Sequence, residues 1–227
     1  MSGPAPSGVI FDWDGVVVDS AGLHALSWER MADARGAVLP DGLRARIGSL
    51  GVKTEFVITD MLRWAADPQD VKRLALEKEA VYLRLVREKG QAPQPGLRRL
   101  LEGLAGRGIP CAIGSSALRG NIEACIDALG FRPFFRAIVT GDDVQHGKPA
   151  PDIFLEAARR IGCAPGACVV FEDAPAGIEA ARAAGMRAIG ILTTNPSESL
   201  KRADRLIRSF EDLASPDPLA WFHPASA

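Results

Sequence analysis

Residues 8–20 read GVIFDWDGVVVDS, an apolar run that ends in two aspartates separated by one tryptophan. The residues of Val9–Phe11 are β-branched or aromatic, as in a buried strand. Asp12 and Asp14 follow this run at once. The sequence therefore places two carboxylates at the end of a buried strand, which makes that strand end a candidate site.

Further short β-rich runs alternate with longer helical patterns, which is typical of a parallel sheet with helical crossovers. After the first strand, the predicted strands are Cys111–Ile113, Ala137–Val139, Cys168–Phe171, Ala188–Ile191 and Arg205–Ile207. Glycines follow the predicted helices, which are Ala117–Leu129, Asp152–Ile161 and Ala176–Ala184. We predict an α/β fold, a Rossmann-like parallel sheet with helices on both faces.

One segment breaks the alternation, because residues 19–89 keep a helical pattern without a strand-like run. A parallel crossover needs only about a dozen residues. The many residues beyond this length indicate an inserted helical domain. We therefore predict a core domain of residues 1–18 and 90–227, and a helical cap domain of residues 19–89.

Composition narrows the possible partners. The 227 residues include 27 Lys plus Arg and 28 Asp plus Glu, for a net charge of -1. The protein therefore has no strong positive electrostatic field that would favour binding to nucleic acid or to an anionic membrane. No apolar stretch approaches the roughly 20 residues that cross a bilayer, and the first residues lack the order of a signal peptide. We expect a cytoplasmic protein with a small-molecule ligand, no nucleic-acid or membrane partner, and a monomer as the default state.

Polar residues follow the predicted strands: Asp12, then Ser115 and Ser116, then Gly141–Asp143, then Glu172 and Asp173. The carboxyl ends of parallel strands share one edge of the sheet, where ligands bind. Each residue taken singly could be a helix cap or a loop residue. Together they indicate one cleft.

The acidic residues of this cleft suggest a metal. Asp12, Glu172 and Asp173 would raise one another's pKa unless a cation lay between them, and Mg²⁺ prefers hard oxygen ligands. Beside the metal, Asp12 could attack phosphorus and form an aspartyl-phosphate. Asp14 could then serve as general acid and base.

Phosphoryl oxygens also need positive partners. The candidates are the Ser115 hydroxyl, with the backbone N–H groups of the following helix, and Lys148 in HGKPAPD. Gly141–Pro149 is not a nucleotide-binding P-loop, because it has five residues between its glycines and proline where Ser or Thr should stand. The stretch GSSA, residues 114–117, lacks the G-x-S-x-G spacing of a serine hydrolase.

These motifs resemble the four motifs of the haloacid dehalogenase superfamily, in the branch of β-phosphoglucomutase and related sugar-phosphate phosphatases. FDWDGVVVDS is similar to the first motif, with Asp12 as nucleophile and Asp14 as acid and base. Ser115, Lys148 and the pair Glu172-Asp173 correspond to the second, third and fourth. The resemblance implies Mg²⁺ held by the Asp12 side chain, the Asp14 backbone carbonyl and Asp173, with Glu172 close by or a ligand itself. The second aspartate argues against dehalogenation, since the dehalogenating members lack it.

The resemblance extends to the cap, where Lys78 corresponds to a lysine that lies near the substrate in members of the family. The mutase has an arginine in its specificity loop, whereas the comparable residues 48–54 here offer only Lys53. The predicted substrate-binding residues are His24, Lys53, Lys78 and Ser116.

Three functions follow as hypotheses. The first is a Mg²⁺-dependent phosphatase of small phosphorylated metabolites, sugar phosphates above all, acting through an aspartyl-phosphate. The second is a β-phosphoglucomutase, which would return the phosphoryl group to the sugar. The third is a non-catalytic phosphate-binding protein, against which the intact set of motif residues argues.

Overall fold

The computed structural model describes residues 6–44, 47 and 54–213. Its core is a six-stranded sheet in which every neighbouring pair is parallel, in the order β3-β2-β1-β4-β5-β6. The strands are β1 Gly8–Phe11, β2 Cys111–Gly114, β3 Phe135–Val139, β4 Cys168–Glu172, β5 Arg187–Ile191 and β6 Arg205–Ile207. The six strands predicted from sequence are confirmed, and Glu172 proves to be the last residue of β4.

The strand order places β1 at a switch point of the topology. From β1 the chain builds β2 and β3 on one side, and then β4, β5 and β6 on the other. Phe11 of β1 is paired with Ile113 of β2 and with Phe171 of β4. In open parallel sheets the crevice beyond such a switch point is the usual ligand site. The residues that follow β1 and β4 therefore lie side by side there.

Helices cover both faces of this sheet, because successive strand residues point to opposite sides. On one face, Ile10 and Val170 pack with Phe154 of α7 (Asp152–Ile161) and Ile178 of α8 (Pro175–Ala183).

The opposite face is largely aromatic. Phe11 stacks on Phe171 with ring centroids 5.2 Å apart, and Phe210 lies 5.1 Å from Phe171. Phe210 begins a short 3-10 helix, Phe210–Leu213, which contacts α5 (Leu97–Gly106). Both faces of the predicted α/β core are thus occupied.

The helix after β2 is shorter than the sequence pattern predicts. The sequence predicts a helix over Ala117–Leu129, whereas α6 comprises Arg119–Ile126. Leu118 is extended, with φ -63 and ψ 140, and Ser115 Oγ accepts a hydrogen bond from the Ala117 N–H at 3.2 Å. A side-chain hydrogen bond to the backbone therefore holds a turn where helix was expected. The prediction for α7 is confirmed, and α8 is shifted by one residue.

The chain divides into two compact units, one of Met1–Asp19 with Ala92–Ala227 and the other of Ser20–Gln91. The second unit contains α1 Ala21–Asp33, α2 Asp41–Arg44, α3 Thr54–Phe56, a π-helical segment Val57–Met61 and α4 Pro68–Lys89, with no strand among its described residues. Its core packs residues of α1, such as Trp28 and Met31, with residues of α4, such as Leu74 and Leu85. That this unit is a substrate-selecting cap stays a prediction. Among the described helices, none is both long and apolar enough to span a membrane.

Candidate active site

Three carboxylates meet where β1 and β4 end. Asp12 directly follows β1, and its backbone N–H donates a hydrogen bond to the Phe171 carbonyl at 3.0 Å, which continues the pairing of the two strands. One ligand atom each from Asp12, Glu172 and Asp173 lies within 4.8 Å of the others, and all three residues are buried. The structure thus brings together residues that lie about 160 positions apart in the chain.

Lys148 joins this group from the loop before α7. Its Nζ lies 2.7 Å from Asp12 Oδ1 and 2.7 Å from Glu172 Oε1. The side chain is only 7% exposed and also lies over the Phe154 ring, 4.9 Å from its centroid. Because α7 packs against β1, β2 and β3, the loop at its start is carried to the centre of the sheet edge. The ammonium group therefore bridges the ends of β1 and β4.

The loop that carries Lys148 is held at its beginning by Asp143. The Asp143 carboxylate accepts hydrogen bonds from the Thr140 N–H and hydroxyl, from Arg119 of α6 and from Arg160 of α7. Burial opposes ionisation of Asp143, but these hydrogen bonds hold its pKa well below the usual range. The network ties the end of β3 to two helices, which limits the positions that Lys148 can take.

Glu172 is anchored at both oxygens. Oε1 accepts from Lys148, and Oε2 accepts from the Ala174 N–H at 2.7 Å, just before α8 begins. A Cβ added at Gly177 would lie 1.7 Å from Glu172 Oε1. Glycine at position 177 therefore provides the space that the Glu172 side chain occupies.

Burial changes the ionisation of the group. It raises the pKa of Asp12 to about 6, with Lys148 opposing the shift and Glu172 adding to it. Burial and the charges of Glu172 and Asp12 raise the pKa of Asp173 well above its usual range. Burial would lower the pKa of Lys148, but the charges of Asp12 and Glu172 outweigh it and the pKa is raised. Three buried carboxylates share one ammonium group, so the site favours a further cation.

The same residues fit a divalent metal. Asp12, Glu172 and Asp173 offer carboxylate oxygens, the hard ligands that Mg²⁺ prefers, at a mutual spacing suited to one ion. Asp14 lies in the turn after β1, where its backbone bridges to Val18, and its charge adds to the rise in the pKa of Asp12. The predicted contribution of the Asp14 carbonyl to the metal stays a prediction.

The two serines differ in exposure. Ser115 is buried directly after β2, its N–H donates to the Val139 carbonyl at 3.0 Å, and its hydroxyl lies at the turn before α6. Ser116 is exposed. Ser115 therefore lies at the carboxyl end of the strand next to β1, and the role of each serine stays a prediction.

Two of the predicted substrate-binding residues lie together in the helical unit. Lys78 Nζ is 2.8 Å from His24 Nδ1 and 3.0 Å from Glu79 Oε1, and its side chain is 3% exposed. The His24 ring stacks on Tyr82 with centroids 4.0 Å apart. Lys53 lies outside the described residues.

Sequence reasoning missed one segment of the site, Thr193–Asn195 after β5. The Thr193 hydroxyl donates to the Gly15 carbonyl at 2.7 Å, and Asn195 Nδ2 donates to the Asp173 carbonyl at 3.0 Å. The sequence does contain a signal for this segment, because these polar residues follow a predicted strand, just as Asp12 and Glu172-Asp173 do.

The sequence profile of haloacid dehalogenase-like hydrolases matches residues 6–185, well over half of the chain. The chain belongs to the haloacid dehalogenase-like hydrolase family. The predictions of this family and of a hydrolase are confirmed.

Named relatives of this hydrolase include phosphatases and a mutase. It is 38% identical over 186 residues to fructose-1-phosphate phosphatase YqaB of Escherichia coli, covering 82% of this chain and 96% of the relative. It is 32% identical over 213 residues to β-phosphoglucomutase of Bacillus subtilis, covering 90% of each. It is also 32% identical over 215 residues to the chloroplastic 5-amino-6-(5-phospho-D-ribitylamino)uracil phosphatase of Arabidopsis thaliana, and this match covers 91% of this chain but only 55% of the relative's length.

The fold of this hydrolase is shared with solved structures. CbbY from Rhodobacter sphaeroides, in complex with phosphate, matches with a TM-score of 0.82 and 28% identity, covering 95% of this chain and 99% of that one. The predicted fold class, a parallel α/β core with an inserted helical unit, is confirmed.

The space at Gly177 gives a first prediction. Gly177→Ala is expected to lower the free energy of unfolding by about 1–3 kcal/mol, because the added methyl displaces a buried, hydrogen-bonded carboxylate. Gly120→Ala is the matched control, since Gly120 is also a helix residue and its added Cβ meets nothing within 4 Å. The free energy of unfolding of both variants is measured by urea denaturation, monitored by circular dichroism. Equal stability of the two variants would contradict the packing of Glu172 against α8.

Proposed function

We propose that this hydrolase is a Mg²⁺-dependent phosphatase of small phosphorylated metabolites, sugar phosphates above all, and that it acts through an aspartyl-phosphate at Asp12. The observation that carries the proposal is the group of three buried carboxylates at the switch point of the sheet, two of which, Asp12 and Glu172, are bridged by Lys148. Membership of a hydrolase family and the phosphatase names of its relatives support a phosphoric monoester as the substrate. A monomeric state and a cytoplasmic location stay predictions.

In the first half-reaction, a carboxylate oxygen of Asp12 attacks phosphorus. The new bond is Asp12 O–P, and the bond that breaks joins phosphorus to the ester oxygen. Asp14 donates its proton to the departing oxygen. Lys148 orients the Asp12 carboxylate and opposes the rise in its pKa that burial causes, which favours the ionised form of the nucleophile.

The second half-reaction returns the enzyme to its starting state. Asp14, now ionised, takes a proton from water while the water oxygen attacks phosphorus. The Asp12 O–P bond breaks, and inorganic phosphate leaves. The Ser115 hydroxyl and the Lys148 ammonium group would bind phosphoryl oxygens in both steps.

The metal, when bound, supplies positive charge that neutralises phosphoryl oxygens and keeps the crowded carboxylates ionised. Asp12 and Asp173 would hold it through their side chains. Glu172 already accepts hydrogen bonds at both oxygens, from Lys148 and from the Ala174 N–H. We therefore assign Glu172 to holding Lys148 in place, and expect its loss to affect metal binding less than the loss of Asp173.

The rival function, a β-phosphoglucomutase, is favoured by the Bacillus subtilis relative. A mutase must hold a bisphosphorylated intermediate at its far phosphate, which requires a cationic clamp. Arginine suits this task because its planar fork matches a phosphate, whereas lysine is a mobile point charge. Residues 48–54 contain no arginine, and the Lys78 ammonium group is already paired with Glu79. A weakened clamp favours hydrolysis.

The nucleophile assignment predicts that Asp12→Asn lowers kcat at least about 1000-fold, because the amide keeps the side-chain size but removes the attacking charge. Asp127→Asn, at a carboxylate that is 63% exposed, is the control and should keep wild-type activity. Phosphate release from p-nitrophenyl phosphate with Mg²⁺ measures both, and circular dichroism verifies folding. If Asp12→Asn kept a tenth of the wild-type rate, Asp12 would not be the nucleophile.

The weak clamp predicts hydrolysis in preference to isomerisation. With Mg²⁺ and a panel of sugar monophosphates, we expect release of inorganic phosphate that stops in excess chelator. With β-glucose 1-phosphate and a bisphosphate primer, a coupled dehydrogenase assay should detect little glucose 6-phosphate. Primed isomerisation faster than phosphate release from every sugar tested would show that the rival function is correct.

A further inference from the structure

Three consecutive side chains after β5 reach the candidate metal site. The Thr193 hydroxyl donates to the Gly15 carbonyl at 2.7 Å. The Thr194 hydroxyl lies beside the Asp173 carboxylate and lowers the pKa of Asp173 against the effect of burial. Asn195 Nδ2 donates to the Asp173 backbone carbonyl at 3.0 Å. Each of the three residues therefore contacts a different part of the two segments that follow β1 and β4.

The sheet register explains why this segment reaches Asp173. β5 is the parallel neighbour of β4, with Glu172 paired to Gly190. Both strands end at the same edge, so the residues after Ile191 emerge beside Asp173. Strand pairing thus brings the segment that contains Thr194 to the same edge of the sheet as Asp173.

The contact at Thr194 is close. A Cβ added at Gly15 would lie 2.0 Å from Asp173 Oδ2 and 2.6 Å from Thr194 Oγ1. The Gly15 backbone, the Asp173 carboxylate and the Thr194 hydroxyl therefore pack directly against one another, and Gly15 has a φ of 74, which favours glycine. The Gly15 carbonyl also accepts from Nε2 of the buried Gln94 at 3.1 Å, so the turn that follows Asp14 is held from two directions.

From this arrangement we infer that Thr194 is a positioning residue, which aims the Asp173 carboxylate at the metal while Thr193 and Asn195 hold the backbone on either side. The inference rests on the proposed function, because it assigns Asp173 to the metal. A hydroxyl that donates to a carboxylate ligand restricts its rotation. Loss of such a supporting partner typically weakens metal binding by about 10- to 100-fold.

The test is a Mg²⁺ titration of the full chain by isothermal titration calorimetry. Thr194→Val should weaken Mg²⁺ binding about 10-fold or more, and Thr194→Ser, which keeps the hydroxyl, should restore it. Thr59→Val is the matched control, since Thr59 lies in the helical unit and its hydroxyl donates a hydrogen bond to the Glu55 carbonyl. In activity assays the Mg²⁺ concentration for half-maximal rate should rise in Thr194→Val, while kcat at saturating Mg²⁺ stays near that of the wild type.

Each outcome decides a separate point. Wild-type Mg²⁺ affinity in Thr194→Val, or weak binding in Thr194→Ser equal to that in Thr194→Val, would overturn the role of Thr194. If the wild-type protein bound Mg²⁺ but hydrolysed no phosphate ester, the proposed function would be overturned. The Mg²⁺ titration of the variants would then still decide the role of Thr194. A wild type that binds no Mg²⁺ would overturn both. Thr194→Ala is titrated alongside, so that a folding defect in one variant does not remove the test.

Discussion

The site depends on one electrostatic constraint, the burial of three carboxylates around a single ammonium group. Lys148 pairs with Asp12 and Glu172, and burial still raises the pKa values of Asp12 and Asp173. Such a group is stable only if its charges are balanced, and a divalent cation bound to its carboxylate oxygens would balance them. Without a bound cation, the negative charge of these buried carboxylates would destabilise the core. The same charge provides the metal ligands and the nucleophile that a phosphoryl-transfer site needs.

The surrounding structure serves to hold these charges at a fixed spacing. The strand order puts the ends of β1 and β4 side by side, and the packing of α7 on β1 carries Lys148 to them. Glycines at positions 15 and 177 leave room for the Asp173 and Glu172 side chains. Preorganised charge of this kind lowers the reorganisation that the reaction requires.

The sequence predicts the elements whose signal is local. Buried parallel strands are short apolar runs, so all six strands could be located, and the carboxylates that follow them identify the shared edge of the sheet. The start of α6 could not be predicted, because the Ser115 hydroxyl accepts a hydrogen bond from the Ala117 N–H and Leu118 is extended, so that the helix begins only at Arg119. The contacts of Thr193 and Asn195 depend on strand register and leave no periodic pattern. Substrate choice is hardest to predict, since the predicted substrate-binding residues Lys53 and Lys78 belong to no motif with a fixed role.

The central claim is that Asp12 carries the phosphoryl group during turnover. Acyl phosphates are reduced by borohydride, which would convert a phosphorylated Asp12 to homoserine, a change that peptide mass spectrometry resolves. The account predicts homoserine at position 12 only when a phosphate ester and Mg²⁺ are both present at the quench. Homoserine at position 14, or 5-hydroxynorvaline at position 172, in place of homoserine at position 12 would contradict it, as would steady turnover that leaves every carboxylate of the site unreduced.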